Sequence, residues 1–196
     1  MNEAEARRLI KNQGIEGWCP EAQGASLFQL ASDLEPESVV VELGSYKGLS
    51  TAWMGLALER GAKARLVSVD LHDSNYTRKK GGSEATLADN MTDLDIKVDM
   101  IVGDTVQVAD NASLYGIYPQ SVSLLYIDAC HAYESVKADF LAWLPMLAFG
   151  ARVVFDDYTE HHPGVVRFVN EAVSDCMIEP GLKVGHAYFT RLQCHT

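Results

Sequence analysis

Hydrophobic positions follow two periods along this chain, and the two periods alternate. Short apolar runs predict buried strands at 39–42, 65–70, 97–102, 122–127 and 151–155, with an alternating pair of strands within 182–192. Apolar residues at helical spacing predict helices at 3–12, 22–34, 84–94, 134–147 and 163–176, and one that opens at Ser50. Such alternation is typical of a parallel sheet covered by helices on both faces. We therefore predict an α/β fold whose ligands bind beyond the carboxyl ends of the strands.

Composition and net charge limit the kinds of molecule that this protein is expected to bind. The chain has 196 residues, 47% of them hydrophobic, which suits one domain, and its formal net charge is −11. Because phosphate binding needs a basic face, this charge argues against a duplex nucleic-acid partner. No apolar run approaches the roughly 20 residues of a membrane span, and the N-terminus lacks the apolar core of a signal peptide. We therefore expect a cytoplasmic protein without a membrane partner. Reduced thiols are expected at four scattered cysteines, which are Cys19, Cys130, Cys176 and Cys194.

The segment 39–51 carries the most specific pattern. Three valines predict a buried strand, Glu42 lies near its end, Gly44 and Gly48 bracket the following turn, and Ser50 opens the next helix. Glycines let the backbone approach a ligand, and a helix N-terminus offers free N–H groups. The spacing Glu-x-Gly-x-x-x-Gly differs from the Gly-x-Gly-x-x-Gly of dinucleotide sites. An acidic side chain before the turn favours a cationic ligand over a phosphate.

This segment resembles the first motif of class I S-adenosylmethionine-dependent methyltransferases, especially metal-dependent O-methyltransferases of the catechol O-methyltransferase type. The resemblance implies a single-domain, Rossmann-like, doubly wound, mostly parallel seven-stranded sheet with an antiparallel C-terminal strand. Within it, residues 1–36 form an N-terminal helical cap and residues 37–196 the methyltransferase domain. It also implies S-adenosylmethionine as the cofactor, with its methionine end held by Glu42, Gly44, Ser45, Tyr46, Gly48 and Ser50.

Acidic residues at the next two strand ends fit the rest of that cofactor. Asp70 ends the second strand, where a carboxylate can accept both hydroxyls of a ribose, and the resembled family uses this position in that way. The family holds the adenine after the third strand, where this chain has Asp104 and Thr105. Gly103-Asp104-Thr105 is equally an ordinary helix N-cap, so both interpretations stay open.

Three aspartates follow the fourth and fifth strands. Asp128 ends the fourth strand, and Asp156 and Asp157 end the fifth. Neighbouring strand ends would bring the carboxylates together, and a bound cation would relieve their repulsion. Oxygen ligands favour Mg²⁺, with Ca²⁺ and Mn²⁺ as alternatives. The resemblance agrees, because metal-dependent O-methyltransferases bind a divalent cation at these positions, and it places Asp128 beside the cofactor as well. Residues 155–158 also resemble the macrocin-type sugar O-methyltransferases.

A histidine stands where the catechol enzymes have a lysine base. His131 lies three residues after Asp128, and an imidazole can take a proton from a hydroxyl whose pKa a metal has lowered. We predict His131 as the general base. It can instead orient Asp156 or contact the cofactor. His161 and His162 can face the substrate, and a two-histidine, one-carboxylate iron site can be drawn from His131, Asp128 and a later histidine, although the spacing does not require it.

The expected reaction is transfer of a methyl group to a hydroxyl of a small molecule, either phenolic or a sugar. The basic run 78–80 is expected to be a solvated loop, with a lid over an acidic acceptor as the alternative. A non-catalytic module that binds an adenosyl cofactor and a metal-dependent hydroxylase on the same scaffold are the competing functions. The sequence leaves a homodimer open.

Overall fold

The computed structural model describes residues 1–60, 64–72 and 82–193 of the chain. In this part of the chain, a single sheet has seven strands in the order β3-β2-β1-β4-β5-β7-β6. The strands are β1 (Val39–Leu43), β2 (Arg65–Asp70), β3 (Asp99–Val102), β4 (Val122–Ile127), β5 (Leu147–Phe155), β6 (Leu182–Val184) and β7 (Ala187–Arg191). The first five run parallel, and β7 pairs antiparallel with both β5 and β6. The predicted fold class is confirmed. The basic run 78–80 lies outside the described residues.

Seven α-helices accompany the strands within the described residues. They are α1 (Glu3–Gln13), α2 (Glu21–Ser32), α3 (Leu49–Arg60), α4 (Gly82–Asp93), α5 (Thr105–Asp110), α6 (Tyr133–Trp143) and α7 (Pro163–Ser174). Short 3-10 turns follow α5 at Ala112–Tyr115 and α6 at Leu144–Met146. None of these helices combines the length and the apolarity that crossing a membrane requires.

The helix predicted over 134–147 is the clearest boundary error. The α-helix ends at Trp143, and the chain tightens into a 3-10 turn that contains Pro145. Proline has no N–H to continue the helical ladder. Leu147 is accordingly the first residue of β5 rather than the last of a helix.

Each face of the sheet has its own hydrophobic cluster because strand side chains alternate. Val39, Val41 and Leu43 pack on the face covered by α5, α6 and α7. Val40 packs on the opposite face with α1, α2, α3 and α4. Residues 1–36, predicted as an N-terminal helical cap, contribute buried side chains to the second cluster.

The carboxyl ends of β1 and β4 meet at the point where the strand order reverses. The N–H of Asp128 donates to the carbonyl of Leu43 at 2.7 Å, and a Cβ added to Gly44 would lie 2.2 Å from the carbonyl oxygen of Asp128. Gly44 also has a φ of +85°, a conformation that favours glycine. Only glycine therefore lets the two strand ends approach this closely, and a cavity opens directly above them.

Candidate functional site

A cavity of about 990 Å³ lies above the carboxyl ends of β1, β2, β4 and β5. It is large enough for a cofactor together with a small substrate. The loops that follow the parallel strands supply most of its walls, and the segment before α2, the helices α4 and α6 and the turn between β6 and β7 also contribute. The predicted residues that line it are Gly44, Ser45, Tyr46, Ser50, Asp70, Asp104, Thr105, Asp128, His131, Asp156 and Asp157. Glu42 and Gly48 lie behind this wall rather than on it.

Glu42 is fully buried beneath the glycine turn and is held by the first residues of α3. One carboxylate oxygen accepts from Ser50 Oγ and the other from Thr51 Oγ1, both at 2.5 Å. Burial raises the pKa of Glu42 to about 7, although these two hydroxyls act against the shift. A carboxyl group whose pKa lies near neutral pH can be shifted to its ionised form by a cationic ligand that binds beside it. Ser50 thus donates to Glu42 in this structure, and its predicted contact with the cofactor stays a prediction.

Asp70 fixes the backbone of the same turn. One oxygen of its carboxylate accepts from the N–H groups of Ser45 and Tyr46 at 2.9 and 2.8 Å, and the other accepts from the N–H of His72 at 2.7 Å. Tyr46 has a φ of +48°, which these bonds help to hold. The predicted ribose contact stays a prediction, and the structure gives the same carboxylate a bracing function.

The loop after β3 forms a helix N-cap, which is one of the two interpretations that the sequence left open. Asp104 is the N-cap of α5, and its Oδ1 accepts from the N–H of Gln107 at 3.0 Å. The hydroxyl of Thr105 donates to the carboxylate of Asp139. Both residues still line the cavity, so the predicted adenine contact is compatible with the capping geometry and stays untested.

The three predicted metal ligands differ in what surrounds them. Asp156 is only 4% exposed. One of its oxygens accepts from Gln23 Nε2 at 2.9 Å and from the hydroxyl of Tyr126, and the other accepts from the N–H of Asp157 at 2.7 Å. Asp128 and Asp157 are half-buried and face the cavity. Burial and the carboxylates of Asp156 and Asp157 raise the pKa of Asp128 well above its usual range, as expected where negative charge accumulates.

Two histidines approach the same carboxylates. His131 Nε2 lies 3.1 Å from Asp157 Oδ2 and 3.6 Å from Asp128 Oδ1, and His162 Nε2 lies 3.5 Å from Asp157 Oδ2. The two imidazole rings meet edge to face with centroids 4.4 Å apart. Burial lowers the pKa of His131, although Asp157 opposes the shift. The sequence drew attention to His162 without giving it a firm role.

Sequence reasoning missed the side chains that support this site from the N-terminal helices. Gln23 is fully buried; it donates to Tyr126 and Asp156, and its Oε1 accepts from the N–H of His186 at 3.1 Å. Nothing in the pattern of residues 22–34 distinguishes this glutamine from a solvated one. At the cavity mouth, the ring of Trp18 lies 5.5 Å from that of Tyr46 and its side chain is exposed. Residues before β1 therefore complete the cavity.

Comparison with known proteins adds two kinds of similarity. A family model described as "Methyltransferase domain" matches residues 41–158, more than half of the chain. "Uncharacterized protein R132" of Acanthamoeba polyphaga mimivirus is 26% identical over an alignment of 159 positions, which covers 76% of this chain and 66% of that protein. The match thus spans just under two thirds of the relative's length.

Two solved structures share the architecture. An O-methyltransferase from Bacillus cereus in complex with SAH has a TM-score of 0.70 and 15% identity, with 97% of this chain and 90% of that chain covered. TomG from Streptomyces achromogenes, an O-methyltransferase of tomaymycin synthesis in complex with SAM, has a TM-score of 0.68 and 18% identity, with 98% and 89% covered. At these identities the likeness concerns the fold.

Proposed function

The chain belongs to the methyltransferase-domain family, and from this premise we propose that it transfers a methyl group from S-adenosylmethionine to a hydroxyl oxygen of a small molecule. The cavity carries the proposal, because it joins a glycine turn backed by a buried acid to a second region rich in carboxylates and imidazoles. The first region suits a cationic cofactor, and the second suits a hydroxyl that must lose a proton. The cofactor named for the two solved relatives supports the same assignment.

The cofactor half of the cavity would bind by charge and backbone contacts. Glu42 supplies negative charge behind the turn, and the amino group and sulfonium of S-adenosylmethionine are cationic. Asp70 holds the turn from below with one oxygen committed to Ser45 and Tyr46, and the predicted ribose contact would use its remaining acceptor capacity. Binding in this orientation would point the transferable methyl group away from the glycine turn. Alignment of the two reactants is the main contribution expected from the protein.

The acceptor half of the cavity would handle the proton of the hydroxyl. Asp128, Asp156 and Asp157 are predicted to hold a divalent cation, and such a cation, when bound, lowers the pKa of a coordinated hydroxyl. His131 was predicted as the base, and its Nε2 faces the carboxylates of Asp128 and Asp157. That direction suits a base only when no cation lies between the imidazole and the carboxylates. The acceptor is proposed to be a phenol or a sugar hydroxyl.

A screen of hydroxylated acceptors with methyl-labelled S-adenosylmethionine and added divalent cations tests the proposal. Transfer of label to a phenol or sugar is expected from the wild-type chain. Asp70→Ala is the test variant, and it should lower S-adenosylhomocysteine affinity at least about tenfold because it removes charge-assisted hydrogen bonds. Tight cofactor binding without transfer to any acceptor would favour a non-catalytic binding module instead.

A further inference from the structure

One cluster in the described part of the chain brings three metal-ligating side chains together. It consists of His131, Asp157 and His162, whose nitrogen and oxygen ligand atoms all lie within 4.8 Å of one another. All three side chains are half-buried on the wall of the cavity. Asp128 Oδ1 lies 3.6 Å from His131 Nε2 and extends the cluster by a second carboxylate. The loops after β4 and β5 thus contribute two residues each.

The imidazole of His131 carries the second observation. Its Nε2 is buried, and it has no hydrogen-bond partner among the described residues. It nevertheless lies 3.1 Å from Asp157 Oδ2, in a direction that makes no hydrogen bond. A buried polar atom without a partner is costly unless something else satisfies it. A lone pair aimed at the space between two carboxylates is satisfied by a bound cation.

The spacing of these atoms matches a small metal ion. Bonds of about 2.0–2.2 Å from zinc to nitrogen or oxygen place tetrahedral ligand atoms about 3.4 Å apart. The observed separations from Asp157 Oδ2 are 3.1 Å to His131 and 3.5 Å to His162. The ligand nitrogens of the two histidines lie within 4.8 Å of each other, so the two imidazoles need to move toward each other by at most about 1.4 Å to bind one ion with Asp157.

We propose that His131, Asp157 and His162, with Asp128 as a fourth ligand, form a mixed nitrogen and oxygen site for a transition-metal dication such as Zn²⁺. Imidazole ligands favour zinc and its neighbours in the transition series, whereas Mg²⁺ prefers oxygen ligands and retains its waters. The role of this metal in methyl transfer rests on the proposed function, but its binding does not. His131 then ligates the cation and is not the general base.

This site differs from the one predicted from the three aspartates. Asp157 and Asp128 are common to both, but His131 and His162 replace Asp156. The buried carboxylate of Asp156 already accepts hydrogen bonds from Gln23 and Tyr126. Asp156 then has a structural role, because its hydrogen bond with Gln23 anchors α2 to the floor of the cavity. The two ligand sets predict opposite responses to substitution, so they can be told apart.

Calorimetric titration of the chelator-treated, full-length protein with ZnCl₂ and with MgCl₂ measures the preference directly. We expect Zn²⁺ to bind at least about 100-fold more tightly than Mg²⁺. His131→Ala and His162→Ala should each weaken Zn²⁺ binding at least about tenfold, because each removes one ligand. The matched control is His161→Ala, an exposed neighbour in the same loop, which should leave Zn²⁺ affinity within about twofold.

Cobalt substitution gives a readout that does not depend on affinity. Co²⁺ bound to wild-type protein should show the visible absorption bands of a nitrogen-containing, low-coordinate site, and His162→Ala should change them. S-adenosylhomocysteine affinity, measured in parallel, should remain within about threefold of wild type in the histidine variants. If the wild-type protein does not bind S-adenosylhomocysteine, the proposed function is overturned, but the metal-site proposal is not.

Two results would overturn the metal assignment. One is Zn²⁺ binding no more tightly than Mg²⁺ to the wild-type protein. The other is a large loss of metal affinity in Asp156→Asn together with unchanged affinity in His162→Ala, which would favour the aspartate set. Circular dichroism establishes that each variant is folded. If His131→Ala does not fold, His162→Ala and the cobalt spectrum of the wild-type protein still test the metal assignment.

Discussion

At the scale of single residues, burial changes how readily a side chain of this protein ionises. Glu42 is fully buried, and two hydroxyls hold its carboxylate in place. No cationic group of the described residues stabilises its ionised form, so folding must bear the cost of desolvation. Under the proposed function, the same carboxylate attracts the cationic cofactor, and affinity for the cofactor would be gained at the expense of stability.

Glu42→Gln tests whether the ionised carboxylate of Glu42 lowers the stability of the ligand-free protein. The pKa of Glu42 is raised from 4.5 to about 7 in the folded chain. For a carboxyl whose folded pKa is raised, stability is highest below the unfolded pKa and is lost as pH rises through the folded pKa. The glutamine variant, free of ligand, should therefore be more stable than wild type at pH 8, by up to about 3 kcal/mol. This difference should close as the pH falls toward 5.

Urea denaturation at pH 8 and pH 5 measures the difference in unfolding free energy. Glu35→Gln is the matched control because Glu35 is exposed, and it should change stability little at either pH. The Glu42 variant should also bind S-adenosylhomocysteine more weakly. A stability gain of equal size at both pH values would contradict the assignment to ionisation.

At the scale of elements, the approach of β1 to β4 positions the site. Leu43 and Asp128 are joined by a backbone hydrogen bond of 2.7 Å, and Gly44 continues past it with no room for a side chain. The same contact brings the turn of the cofactor half beside the loop that carries Asp128 and His131. The distance between the two halves of the cavity is therefore set by backbone packing.

Gly44→Ala should destabilise the fold by about 3 kcal/mol or more. Its Cβ would lie 2.2 Å from the Asp128 carbonyl oxygen, and the φ of +85° adds backbone strain. Gly14→Ala is the control, because Gly14 has a φ of +68° but no atom within 4 Å of the added Cβ. That variant should lose only about 1 kcal/mol. Equal losses in urea denaturation would show that the strand contact is unimportant.

At the scale of the whole molecule, both sheet faces and the N-terminal helices form one support for the cavity. Gln23 of α2 reaches through to Asp156 at the end of β5, and Arg152 of β5 donates to the carbonyl of Leu30 at 2.5 Å. A ligand that contacts loops from several strands should therefore stabilise the chain as a unit. The formal charge of −11 favours a cationic ligand over an anionic one.

Saturation with S-adenosylhomocysteine should raise the melting temperature. At a concentration 100 times the dissociation constant, binding to the folded state alone adds about 2.7 kcal/mol. For a chain of 196 residues, this corresponds to a rise of about 5–10 °C. Differential scanning fluorimetry measures the shift, and adenosine, which lacks the homocysteine moiety that we propose lies next to Glu42, should produce a smaller one. A melting temperature independent of S-adenosylhomocysteine concentration would contradict the proposed binding site.

The sequence by itself determined the parallel sheet, the glycine turn and the acidic residues at the strand ends. Those features are local, since they depend on hydrophobic period, on turn glycines and on the residue that follows each strand. Even the error over 144–147 has a local cause in Pro145. The seven-stranded, mostly parallel sheet with an antiparallel C-terminal strand matches the fold implied by the resemblance to methyltransferases.

Only the tertiary structure decided which polar side chains share a space. Asp156 and Asp157 are adjacent in sequence, yet one is buried against Gln23 and the other faces the cavity with His131 and His162. Successive residues after a strand point in different directions, and their partners come from segments far apart in the chain. Composition can indicate that acids and histidines are present, but ligand geometry depends on backbone direction, which the fold as a whole sets.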